Sequence, residues 1–417
     1  MQILNVENWD FKTILKAKGI PLVTAAAVLV GGVSMAASNS VAESDKIISG
    51  VNYDGKDIGG MTAAQAKNFF EQSAAQKMKP LTFAYNGQEF QIQPQEINWT
   101  AKVNDAVDEA ESYGRGKGLL GNFGEQVSSL MGNGHEVKLA AVYDEDLLNK
   151  KIDEIAAQVD TQPVNAYCNL HSNGMIEPIP GVIGKKLNRD KLAESLKDPL
   201  NNLTMPNSAI NLEPEDIEPF IRTEDVANID TILGEYTTSY YPGDRGDNIW
   251  IASSAIDDKI LRPGWEFSFN TTVGPRTYEA GYKPAGVIIN GQSAIDYGGG
   301  VCQVSSTLYN AVLLAGLTPT ERTPHYFQSS YIGYGRDATV ADGQIDFKFR
   351  NDLPHTVYLK AEATGSTLTM YVLGTKADLN GQTISIENDG SSLYRTYYKD
   401  GQVVKDEYLH TDQYYTK

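Results

Sequence analysis

Two cysteines, Cys168 and Cys302, are all that this 417-residue chain contains. That is too few for a four-thiolate zinc site and enough for at most one disulfide. Positive charge is also scarce, with 35 Lys plus Arg against 53 Asp plus Glu and a formal charge of −18. Such a field repels phosphate backbones and leaves no basic footprint, which excludes nucleic acid and disfavours other polyanions as ligands. Histidine is rare, with five in all, and neither an HExxH pair nor a GxxxxGKS loop occurs. No zinc-hydrolase helix or phosphate cradle is therefore indicated, and no cofactor or metal is expected. Apolar residues make up 41% of the chain, enough to bury a core in each of about two to four domains.

The long apolar run lies at the start. Lys12, Lys16 and Lys18 precede Ile20 to Ala37, which are all apolar or small, and Glu43 and Asp45 follow. A positive flank, an apolar segment and an acidic exit are the layout of a signal sequence or an amino-terminal membrane anchor. The run is at the short end of what crosses a ~30 Å hydrocarbon core. Ser34-Met35-Ala36 and Ser40-Val41-Ala42 both suit a signal peptidase, so cleavage and retention stay open. Either way the expected location is extracytoplasmic, where a free thiol must tolerate oxidants.

Two similar stretches follow. GMTAAQAKNFFEQSAAQ reads as a helix with Ala66, Phe69, Phe70 and Ala74 on one face, and LTFAYNGQEFQIQP alternates around Asn86 and Gly87 as a hairpin. The order returns in YDEDLLNKKIDEIAAQ and in a hairpin turning at Asn173 and Gly174, with Pro94 matching Pro180 and Ile97 matching Ile183. Each copy leads into another helix, at NDAVDEAESYGRG and at NRDKLAESLKD. Two copies of so long a period suggest duplicated α+β modules rather than a solenoid. Cys168 and His171 sit in the second hairpin, where packing is the expected role.

From about Gly234 the chain grows dense in glycine and aromatics. DNIWIASSAIDDKIL reads as a helix with Ile249, Ala252, Ile256 and Ile260 inward, stopped by Pro263 and Gly264. Three alternating strands follow in GQIDFKFRNDLPHTVYLKAEATGSTLTMYVLG, and a hairpin turning at Asp400 and Gly401 closes the chain. The expected fold class is α+β throughout, with a leader over 1–42 and small modules over 43–135 and 136–230. A helix-on-antiparallel-sheet domain over 231–375 and a hairpin extension over 376–417 complete the expected organisation.

The chemistry concentrates in DYGGGVCQVSSTLYNAVLLAGLTP. Gly298 to Gly300 precede a helix whose apolar positions are Val304, Leu308, Ala311, Val312 and Ala315, with Gly316 and Pro319 ending it. Cys302 then lies in the first turn, where free N–H groups and the helix dipole lower a thiol pKa and can donate to an oxyanion. His325, in a segment that reads as a strand, is the candidate base. Asp337 is its orienting carboxylate, with Asp346 as the fallback. This chain order of helical Cys, then His, then Asp is that of papain-like and transglutaminase-like acyl transferases, an analogy of order alone. Gly300, Gln303, Ser305 and Ser306 around the helix start are expected substrate contacts. Of Arg276, Arg322 and Arg336, the last is the expected carboxylate partner and the others are read as internal ion pairs. His355, His135 and His410 read as surface residues.

The strings NIWIASSAIDDKILRPGWEFSFNTTVGPRTYEAGYKPAGVIINGQ, GGGVCQVSSTLYNAVLLAGL and ERTPHYFQSSYIGYGRDATVADGQIDFKFRND resemble, in order, the VanW family. The two repeats, with ESYGRGKG closing the first, resemble peptidoglycan-binding domains often joined to it. The resemblance implies an extracytoplasmic protein of a Gram-positive type of cell wall. It further implies an L,D-transpeptidase making 3-3 crosslinks, with Cys302 acylated and His325 its base. Peptidoglycan stem peptides would be the partner, and the membrane too if the leader is retained. Tyr326 departs from the small Ser common beside that histidine, which alters the pocket lining. The alternative is a noncatalytic wall-binding or glycopeptide-resistance accessory protein in which GGGVC is a tight structural turn.

Overall fold

A computed structural model describes residues 45–115, 117–130, 134–289 and 292–415. The expected leader over 1–42 lies outside the described residues. No helix among the described residues is long and apolar enough to cross a membrane. The chain divides into two compact units, one formed by residues up to 160 with 185–215 and the other by 161–184 with 216–417.

In the first unit, Thr62 caps helix α1 (Ala63–Lys77) in a reciprocal box with Gln65, and Ala66, Phe70 and Ala74 face inward. The hairpin β1 (Leu81–Tyr85) and β2 (Gln88–Ile92) follows. Its turn uses Asn86 and Gly87 at φ 48° and 79°, the left-handed pair that a two-residue turn requires. Helices α2 (Val103–Ser112), α3 (Gly118–Leu130), α4 (Glu145–Val159) and α5 (Arg189–Asn201) complete the unit. Leu148, Ile152 and Ile155 of α4 and Leu192, Leu196 and Leu200 of α5 enter the same core as Phe70, Phe83, Ile97 and Trp99. The Trp99 indole donates to the Leu200 carbonyl at 3.0 Å, which joins the two sequence copies.

The second copy therefore does not stand apart. Its helices share the first copy's core, whereas its hairpin, β3 (Tyr167–Leu170) and β4 (Ile176–Ile179), belongs to the second unit. There Ala166 and Cys168 pack with Ile221, Ile260, Tyr358 and Leu373. Burial, with Asp258 nearby, pushes the Cys168 thiol up to about 12, which disfavours the thiolate at this packed position. Both thiols are free.

The second unit continues through α6 (Thr223–Val226), β5 (Thr231–Ser239), α7 (Asp244–Ile256), β6 (Lys259–Leu261), β7 (Glu266–Ser268) and α8 (Phe269–Val273). The hairpin β8 (Pro284–Ile289) and β9 (Gln292–Tyr297) leads to α9 (Val301–Leu314). Strands β10 (Thr318–Glu321), β11 (Lys348–Arg350), β12 (Val357–Ala363), β13 (Thr367–Gly374), β14 (Gln382–Asp389), β15 (Ser392–Lys399) and β16 (Gln402–Thr411) follow. The main sheet is antiparallel in the order β5-β13-β12-β6, with smaller sheets β7-β11-β10 and β14-β15-β16. The mixed α+β class expected from the sequence holds. Ile260 differs from expectation: Asp258 turns left-handed at φ 60°, ends α7, and puts Ile260 on β6 paired with Tyr358.

Helix α9 is buried on all sides rather than along one apolar stripe, from Gln303 through Leu313. A Cβ on Gly234 of β5 would lie 2.3 Å from the Ala311 carbonyl oxygen, so glycine lets this helix lie directly on the sheet. Its buried hydroxyls and amides find partners, apart from the Asn310 side-chain oxygen. Thr307 bonds Thr238 at 2.8 Å, Asn310 donates to the Arg336 carbonyl at 2.6 Å, and Ser305 donates to the Ala338 carbonyl at 2.6 Å. The last two bonds fasten the helix to the segment around Asp337.

Candidate active site

The site starts from the three glycines ahead of α9. Gly298 and Gly300 adopt φ of 81° and 113°, and a Cβ on Gly299 would stand 2.7 Å from the Ala285 backbone. Asn248, fully buried on α7, pins this loop by donating to the Gly299 carbonyl at 3.0 Å and the Lys283 carbonyl at 2.9 Å. The Val301 and Gln303 N–H groups close tight turns onto the Gly298 and Gly300 carbonyls. Of the first three helical N–H groups, that leaves Cys302 N–H as the candidate donor to an oxyanion.

Cys302 is partly buried, and its thiol donates to the Val340 carbonyl at 3.4 Å. It is also within hydrogen-bonding reach of the His325 imidazole. His325 is held on its other side: its backbone N–H lies 2.6 Å and its Nδ1 2.5 Å from Asp337 Oδ2. Asp337 is 1% exposed, and its Oδ1 accepts from Arg322 at 3.0 Å and from the Tyr414 hydroxyl. Burial opposes its charge, but these donors outweigh it and hold the carboxyl below its ordinary value. An ionised Asp337 can only accept, so Nδ1 carries the proton and Nε2 is left to serve the thiol.

The same balance operates on the pair. Burial disfavours the Cys302 thiolate most strongly, yet the hydrogen bond and charge of His325, the Val340 backbone and the Arg276 charge together lower its pKa. Burial likewise opposes the imidazolium, but hydrogen bonds and charges from Asp337 and Cys302 raise His325 to about 9. Each partner therefore favours the other's charged form, and the balance is drawn toward the thiolate–imidazolium state. That state combines an attacking nucleophile with an acid able to protonate a departing amine.

His325 lies in an irregular loop after β10, not on the strand expected for it. Pro324 removes a ladder donor, and the loop backbone is satisfied by side chains instead, as in the His325 N–H bond to Asp337. Asp346 does not approach the histidine. It accepts from Ser268 at 2.6 Å and from Asn270 N–H at 2.9 Å, securing the start of α8. The expected substrate contacts are mostly committed elsewhere. Gln303 is 1% exposed, accepting from Arg245 at 3.1 Å and donating to Thr238 at 3.0 Å. Ser305 and Ser306 are fully buried and bond the Cys302 and Ala338 carbonyls. Arg336 ties the loop to Ile386 and Asn388 of β14. Gly300 serves through its backbone alone.

Other partners of the site carry no signal in the sequence, although Arg322 forms the internal ion pair expected of it. His410, read as a surface residue, bonds the Tyr309 hydroxyl through Nε2 at 2.8 Å and lies 3.3 Å from Asp412. Arg322 bridges Asp337 and Asp412, with all three side chains at most 7% exposed. Tyr331 sets its ring edge-to-face against His325 at 6.4 Å. No sequence pattern links 337 to 412 and 414. Among the described residues, no group of three or more His, Cys, Asp or Glu side chains is arranged to hold a metal ion.

A family model described as "VanW like protein" matches residues 244–373, which include Cys302, His325 and Asp337. A second, described as "Putative peptidoglycan binding domain", matches residues 90–204. The uncharacterized protein YoaR of Bacillus subtilis is 36% identical over 233 residues, covering 55% of this chain and 75% of YoaR. The chain belongs to the VanW-like family. The vancomycin B-type resistance protein VanW of Enterococcus faecalis is 30% identical over 131 residues, 30% of this chain and 48% of that protein. The alignment thus spans about half of that relative's length. No solved structure matches. Within this VanW-like chain, the peptidoglycan-binding match runs from the first hairpin through α5, across both sequence copies.

Proposed function

We propose that this VanW-like protein is an extracytoplasmic cysteine acyltransferase acting on peptidoglycan stem peptides, an L,D-transpeptidase that forms 3-3 crosslinks. The observation that carries the reading is the Cys302 thiol paired with a His325 whose other nitrogen is fixed by buried Asp337. Family membership, with a peptidoglycan-binding match in the same chain, supports the choice of substrate class.

The thiolate attacks the amide carbonyl of the third stem residue, and Cys302 N–H faces the developing oxyanion. As the carbon–nitrogen bond breaks, His325 gives its proton to the leaving amine of the terminal residue. A thioester remains, with His325 neutral. An amine from a neighbouring stem then attacks the thioester, His325 takes its proton, and the Cys302 thiolate departs. One peptide bond replaces another, so no ATP is consumed. Water in place of the amine would make the activity a carboxypeptidase.

The test is incubation of the soluble chain with disaccharide-tetrapeptides and analysis of products by mass. Crosslinked dimers lacking one terminal residue are expected from the parent and not from Cys302→Ser. Equal product profiles in the two would leave the noncatalytic wall-binding reading in its place.

A further inference from the structure

We propose that the C-terminal segment after β16 is a positioning element of the catalytic pair, acting through Tyr414 and Asp412 on the loop that carries His325 and Asp337. This rests on the reading of Cys302 and His325 as that pair. The match to the family model ends at residue 373, well before this segment begins.

The segment grips the loop at both ends. Tyr414, 77 positions after Asp337, donates its hydroxyl to Asp337 Oδ1 and accepts the Gly335 N–H at 3.0 Å. One side chain thereby fixes both the carboxylate and the turn leading into it. On the other side of His325, Tyr415 N–H donates to the Tyr326 carbonyl at 3.0 Å, and the two rings stack at 4.1 Å. Asp412, 6% exposed, holds Arg322 at 2.7 Å while Arg322 holds Asp337.

The charges around the pair set the sign of the effect. Cys302 faces His325, Arg276 and Tyr331, with Asp342 and Asp346 acting on Arg276. Asp337 faces His325, Arg322 and Tyr414, with Asp412, His410 and Tyr309 beyond. Asp412→Asn leaves Arg322 firmly held at one end only, which loosens its grip on Asp337 and with it the orientation of His325 toward Cys302. Removing the Tyr414 hydroxyl frees the carboxylate and the Gly335 turn, which loosens the alignment of His325 with Cys302.

The experiment is alkylation of Cys302 against pH in the full chain, read by peptide mass so that Cys168 is scored separately. Tyr414→Phe and Asp412→Asn are each expected to move the thiolate limb toward the ordinary thiol range. A shift of about one pH unit lowers alkylation about tenfold on the acid side. Tyr408→Phe, on β16 and 57% exposed, is expected to keep the parent profile and supplies the control. A folded Tyr414→Phe with the parent profile would overturn the proposal. Should Tyr414→Phe fail to fold, an unshifted Asp412→Asn would overturn it equally. An ordinary thiol profile in the parent would remove the pair itself, and the proposal with it, which separates that failure from the first.

Discussion

Cys302 and His325 shift each other in opposite directions, and their reactivity over pH follows from the signs. With the thiol held below its ordinary 9.0 and His325 raised to about 9, the thiolate–imidazolium form is favoured in the interval between the two. Turnover should follow a bell whose alkaline limb lies near pH 9, where His325 loses its proton, and whose acid limb lies below the ordinary thiol range. A profile rising through pH 9 would contradict this assignment. His325→Ala should cut turnover by about 10²–10⁴-fold with the fold intact, measured as the dimer formation rate. Asp337→Asn should cost about 1–3 kcal/mol of stability, because Arg322 keeps Asp412 but the buried donors of Arg322, His325 and Tyr414 lose a charged acceptor; denaturant midpoints would measure it. Cys302, His325 and Asp337 were legible as residue types and chain order. Gln303, Ser305 and Ser306, expected beside the substrate, lie inside the helix packing, because nearness to the nucleophile in sequence does not put a side chain on a groove.

At the scale of elements, the placement of α9 depends on two close approaches. Gly234 brings β5 against the Ala311 carbonyl, and Gly299 brings the loop against Ala285. Gly299→Ala should cost about 1–3 kcal/mol by overpacking and should displace Cys302 N–H, lowering turnover more than substrate affinity. Gly234→Ala should lower stability by a similar amount, read as a lower Tm, with the thiol profile retained in the folded fraction. The glycine run and the helix after it were plain in the sequence. The loop carrying His325 was not, because its order comes from Arg322, Tyr414 and Asp412 rather than from any period of its own.

For the whole molecule, the repeat was visible but its packing was not. Helix and hairpin recur in order, yet the apolar faces of α4 and α5 complete the first copy's core, and the second hairpin joins the other unit. Local periodicity reports which face is apolar and not which partner will cover it. Net charge acts at this scale as well. At −18 the chain should bind purified peptidoglycan better than walls still bearing anionic polymers. Raising the salt from about 0.1 M toward 1 M, which shortens screening from about 10 Å to 3 Å, should narrow that difference in a sedimentation assay.

The central claim, that Cys302 carries an acyl group during turnover, is tested most directly by intact-protein and peptide mass after rapid quenching with a tetrapeptide stem substrate. The account predicts an adduct equal to the stem minus its terminal residue, confined to the Cys302 peptide and absent in Cys302→Ser. Product formation with no adduct at Cys302, or with an undiminished yield in Cys302→Ser, would contradict it.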